Sequence, residues 1–197
     1  MIVCLFLEKE RNGEVDMGAK ATAKKILKKL FNIGPESIED YRKRGVRIGE
    51  NVELIDCQID YGHGYLLEIG NNCTITHTTI LTHDGSTKMH IGYSRVGRVK
   101  IGDNVFVGQN SVILPGVEIG SNVVVGTGSI VMSDVPDNSV VMGNPARIIS
   151  TLDEYIERNR AAMDTSPVYN TYWDQKTVSD IEKMREDLED GTIGYDI

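Results

Sequence analysis

Four histidines, His63, His77, His83 and His90, and three cysteines, Cys4, Cys57 and Cys73, are the side chains best suited to proton transfer, nucleophilic attack or metal binding. An imidazole with a reference pKa of about 6.5 is largely neutral at pH 7 and can take the proton of an attacking hydroxyl. The same ring is a common zinc ligand. The cysteines show no paired spacing, and their odd count points to reduced thiols rather than structural disulfides. Asp84 directly follows His83, but adjacent residues on a strand point to opposite faces. Asp84 is therefore a substrate-contact candidate.

These residues need a scaffold, and a period of six supplies it. From Ile101, aliphatic residues recur at Val107, Ile113, Ile119, Val125 and Val131. A second register of small or β-branched residues follows four positions on, at Val105, Ser111, Val117, Val123, Ser129 and Val135. The same rule upstream gives Ile48 and Leu54 with Val52, then Ile69, Ile75 and Leu81 with Cys73 and Thr79. A helix cannot put this period on one face, whereas short strands joined by corners can. The phase slips between Leu54 and Ile69 and between Leu81 and Ile101, so each gap holds an insertion, the longer one over residues 84–100. His83 stands at its mouth, and loops thrown from a rigid scaffold commonly carry binding and chemistry.

The pattern over residues 46–149 resembles the hexapeptide-repeat acetyltransferases. That resemblance implies a mainly β fold, a left-handed parallel β-helix with three hexapeptides to a coil of about eighteen residues and a strand spacing of about 4.8 Å. Asn104 is then expected over Asn122, Ser111 over Ser129 and Val105 over Val123. His77 and His83 fall on adjacent faces separated by a corner, which argues against one metal ion held by both. The zinc-dependent carbonic anhydrases of this fold place two histidines five apart, a spacing absent here. No metal is expected.

The segment Ile80-Leu81-Thr82-His83-Asp84-Gly85-Ser86-Thr87 resembles the one carrying the catalytic histidine in xenobiotic, galactoside and polysaccharide O-acetyltransferases. The resemblance implies transfer of acetyl from acetyl-CoA to a hydroxyl of a sugar or glycan precursor, with His83 as general base. It also implies that the amide of Gln109 meets the oxyanion, that Thr127 bonds the pantetheine arm, and that Met132 lies where some relatives carry a threonine near the coenzyme. Arg147, in Gly143-Asn144-Pro145-Ala146-Arg147, matches a basic residue on the coenzyme phosphates, while Ser150 replaces a second arginine of some relatives. A homotrimer with sites between neighbouring chains follows from the same likeness. Two alternatives remain: N-acetylation of an amino sugar, and a non-catalytic β-helical scaffold.

A net charge of -8 argues against a general nucleic-acid binder, since phosphate binding draws on clustered Lys and Arg. The apolar run from Ile2 to Leu7 is shorter than a signal or membrane segment, so no membrane span is expected and the chain is placed in the cytoplasm. Residues 1–45 read as an N-terminal helical cap. Within it, residues 19–31 form a helix with Ile26, Leu27, Leu30 and Phe31 on one side and five lysines around the rest. Such a helix caps an open coil end, or lies on a membrane. Residues 150–197 read as a helical extension with helices at Thr151 to Met163 and Thr177 to Leu188.

Overall fold

Inward aliphatic residues alternate with outward polar ones over only two or three positions at a time, and the chain folds into correspondingly short strands. The computed structural model describes residues 36–197; the expected helix at 19–31 and Cys4 lie outside the described residues. The first coil comprises Arg47–Ile48, Glu53–Ile55 and Gln58–Ile59, and the second Leu67–Ile69, Thr74–Thr76 and Thr79–Ile80. Val99–Ile101, Val105–Val107 and Val112–Ile113 make the third, and Glu118–Ile119, Val123–Val125 and Ile130–Val131 the fourth. Strands of equal rank pair in parallel, giving three sheets that form the faces of a β-helix. Ser139–Gly143 adds a further parallel strand to the second face, and Ala146–Thr151 folds back antiparallel upon it.

The expected stacking is present. Val105 pairs with Val123, Asn104 Nδ2 donates to Asn122 Oδ1 at 3.0 Å, and Ser129 N lies 3.3 Å from Ser111 Oγ. Asparagine recurs at one corner because it tolerates left-handed backbone: Asn51, Asn72, Asn104, Asn122 and Asn138 have φ between 53° and 57°. Their side-chain amides join coil to coil, Asn51 to Asn72 and Asn72 to Asn104.

Inside runs a single aliphatic column, from Leu67 and Ile69 through Ile101, Val107 and Ile113 to Val125 and Val131, all essentially inaccessible. Burial of each such side chain contributes about 1.5–3 kcal/mol. One end is covered by helix α1 (Ile38–Lys43), whose Tyr41 is buried and donates its hydroxyl to the Cys57 carbonyl at 2.9 Å.

The expected phase fails at one place. Leu81 and Thr79 are half-exposed, and Ile80, Thr78 and Thr82 are the buried residues. Ile80 pairs with Ile113, and Ile75 with Val107, so this corner has one residue fewer than the corner above it. His77, φ 42°, turns this shorter corner, with Asp56, φ 49°, below it, as Asn110, φ 60°, turns the longer one above. With Thr82 inside, His83 falls outside.

The longer insertion is ordered. His83–Asp84 pairs antiparallel with Arg95–Val96, and helix α2 (Lys88–Ile91) lies between them. After the β-helix come α3 (Leu152–Met163), capped by Thr151 with Glu154, and α4 (Val178–Asp187), capped by Thr177 with Asp180. The acidic tail closes through a two-stranded pair of Val168–Tyr169 with Tyr195–Asp196. No described helix is long and apolar enough to cross a membrane.

Candidate active site

Asp60 follows the last inward residue of the first coil, and its chain turns there through Tyr61-Gly62-His63-Gly64. The Asp60 side chain is 2% exposed and its Oδ2 accepts a hydrogen bond from His83 Nδ1. Thr82 supports the same oxygen, with its amide at 3.3 Å and its hydroxyl at 3.0 Å. The Gly62 amide donates to Oδ1 at 3.1 Å. Burial by itself pushes the Asp60 carboxyl up, but the hydrogen bonds from His83 and Thr82, the His83 charge and the Gly62 amide outweigh it and bring the pKa down to about 2. Asp60 is therefore a carboxylate at neutral pH.

The consequence for His83 is a fixed tautomer. With Nδ1 donating to a carboxylate, Nε2 carries the lone pair and is free to accept a proton. His83 also borders a hollow of about 600 Å³ whose lining includes Asp84, Arg95, Val96, Leu114 and Pro115. Asp84 is engaged locally. Its oxygens accept from the Ser86 amide at 2.9 Å and hydroxyl at 3.0 Å, which holds its carboxyl below the usual range, and Arg95 lies 3.7 Å away.

A second set of residues gathers at a different corner, between the second and third faces. Gly108 and Asn110 donate their amides to Val125 and His77 carbonyls, and Gly126 and Gly128 to those of Val141 and Gln109. The intervening amides of Gln109 and Thr127 have no backbone acceptor among the described residues. Both residues are exposed, and the coils are so close that a Cβ on Gly108 would lie 2.6 Å from Thr127 N. Arg147 is also exposed and sits opposite Met142, whose side chain covers Gly126. Two amides without a backbone acceptor suit an extended amide-bearing chain, and an exposed guanidinium suits phosphate.

The structure stacks Thr127 over Gln109, places Arg147 opposite Met142 on the outermost strand of the second face, and sets Met132 at a different corner from Gln109 and Thr127. Met132 is exposed and comes eighteen residues after Leu114, in the neighbourhood of the His83 hollow. Asp60 was not legible from local motifs. Its signal was the coil length: Ile48 pairs with Ile69 and Ile59 with Ile80, an offset of 21 residues that carries Asp60 beneath Leu81, beside His83.

A family model described as bacterial transferase hexapeptide (six repeats) matches residues 98–132. Protein CapG of Staphylococcus aureus is 39% identical over 172 residues, covering 83% of this chain and 97% of that protein. Putative acetyltransferase YvoF of Bacillus subtilis (strain 168) is 47% identical over 93 residues, 47% of this chain and 52% of that protein. Among solved structures, galactoside acetyltransferase in complex with coenzyme A is 26% identical, spanning 77% of this chain and 92% of that chain with a TM-score of 0.47.

Proposed function

The chain belongs to the hexapeptide-repeat acetyltransferase family, built on the left-handed parallel β-helix, and on that premise we propose that it moves acetyl from acetyl-CoA to a hydroxyl of a sugar or glycan precursor. His83 is the general base and Asp60 its positioning partner. The hydrogen bond from His83 Nδ1 to Asp60 carries this reading, because it leaves Nε2 free to act. As the acceptor oxygen attacks the thioester carbonyl, Nε2 takes its proton. The proton then passes to the departing coenzyme A thiolate, which restores the neutral imidazole.

Gln109 and Thr127 offer their amides, and Arg147 its guanidinium, to the coenzyme; Asp84 faces the acceptor. His83 and the Gln109–Thr127 track stand at different corners of the triangular β-helix. A site containing both is best formed between the His83 corner of one chain and the coenzyme corner of the next, and a homotrimer gives every chain that neighbour.

The test is acetyl-CoA consumption against a panel of sugars, nucleotide sugars and amino sugars, with His83→Ala as control. Product bearing an O-acetyl ester, lost in the variant, is expected. Acetylation confined to amines would replace the hydroxyl acceptor by an amine, and near-full activity of His83→Ala would remove its role as base.

A further inference from the structure

Among the described residues, one trio of potential metal ligands converges: Asp60, His63 and His83, each offering one donor atom, all within 4.8 Å of one another. We propose that this trio is a site for a borderline divalent transition ion of the Zn2+ type, and that occupation of the site switches the base off. The inhibitory half rests on the role proposed above for His83, whereas the binding half does not.

The donor set is two imidazole nitrogens and one carboxylate oxygen, which suits zinc better than magnesium or calcium. His63 supplies an independent observation. Its Nδ1 is buried and has no hydrogen-bond partner, with Asp60 Oδ1 4.0 Å away. Buried polar atoms are rarely left in that condition, and a metal ion would satisfy it. The His63 and His83 rings are tilted by 39° with centroids 5.2 Å apart, so both can present a nitrogen to the space beside Asp60. The carboxylate is already braced from behind by Thr82 and Gly62, the support that metal-ligating groups usually need.

Tetrahedral zinc holds its ligand atoms about 3.3 Å apart. Binding therefore opens the Asp60–His83 contact slightly and draws in His63, which starts a short 3-10 turn at Gly64–Leu66. The imidazole side chains are 33% and 40% exposed, leaving the ion an entrance and a fourth position for water. A metal ion on His83 Nδ1 requires the lone pair there. The proton of the neutral ring then resides on Nε2, converting the acceptor into a donor without net proton release. Such a ring cannot take the proton of an acceptor hydroxyl.

Co2+ is the probe, titrated into the full-length protein and followed by its visible ligand-field absorption. A saturable spectrum from a single Co2+ per chain is expected, displaced by Zn2+ and lost in His63→Ala and in His63→Gln, both judged folded by circular dichroism. The Zn2+ concentration for half-inhibition, measured against each variant's own metal-free rate, should rise at least about tenfold in both. His77→Ala, which removes the separate His77–Asp56 contact of 3.5 Å, should leave the spectrum unchanged. No Co2+ spectrum in the wild type, a spectrum indifferent to His63, or one lost in His77→Ala overturns the site. A His63-dependent spectrum in a protein whose His83→Ala variant remains active keeps the site and removes the catalytic reading.

Discussion

Asp60 and His83 are 23 residues apart in sequence and are joined by a hydrogen bond from Nδ1 to Oδ2. The bond exists because the first coil ends one strand spacing below the third strand of the second, with Ile59 paired to Ile80. The β-helix thereby converts a fixed coil length into a fixed imidazole tautomer.

Replacing Asp60 by Asn tests what that bond supplies. An amide can turn its NH2 towards Nδ1, which favours the tautomer with the proton on Nε2. We expect kcat to fall by at least about a hundredfold with little change in the KM for acetyl-CoA. Steady-state kinetics with both substrates varied would show this, and an equal rise in KM with unchanged kcat would place Asp60 in binding instead.

The same carboxylate links stability to pH. Its pKa is about 2 in the folded chain, below its ordinary value, so the unfolded chain binds more protons between about pH 4 and pH 2 and stability falls as pH drops through that window. The contribution, on the order of 2 kcal/mol, is fully present above about pH 4. Urea unfolding of the wild type and Asp60→Asn at a series of acidic pH values should converge towards pH 2. Because Asp60 stays ionised above that range, the acid limb of kcat/KM does not report this carboxyl.

Gly108→Ala addresses the coenzyme corner. The new Cβ would meet Thr127 N at 2.6 Å and its Cα at 2.9 Å, both backbone atoms that cannot swing aside. The two coils must separate there, disturbing the Gly128 amide bond to the Gln109 carbonyl at 2.8 Å. We expect a loss of about 1–3 kcal/mol in thermal or chemical unfolding. Binding of coenzyme A, read by calorimetry, should weaken as well.

Much of this architecture was legible in the sequence because an inward position of a narrow coil accepts only aliphatic or small residues, and Ile101 to Val131 repeats that demand without a break. The His77 corner was not, since it holds one residue fewer than the corner above it and a strict count of six then selects Leu81 in place of Ile80. Within the candidate site, a local motif singled out His83, and the family likeness Gln109, Thr127 and Arg147. Asp60 was hidden because its partner lies in the next coil, and His63 because its position depends on how an insertion folds back. Neither residue has a local pattern to mark it.

The base and the coenzyme track stand at separate corners, so two chains carrying different defects can complement each other. If His83 of one chain works with Arg147 of another, two deficient variants restore each other when mixed. His83→Ala should be inactive, and Arg147→Ala should be reduced about tenfold at acetyl-CoA well below its KM, through loss of charge-assisted bonds to phosphate. After co-refolding in equal amounts, random assembly in a closed ring gives about a quarter of the sites both wild-type groups. The mixture should then run at about a quarter of the wild-type rate, against about a twentieth for the unmixed average. Light scattering on the same sample should give the mass of three chains of 21.8 kDa. A mixture no faster than the average of its components would place the base and the coenzyme track of each site in one chain.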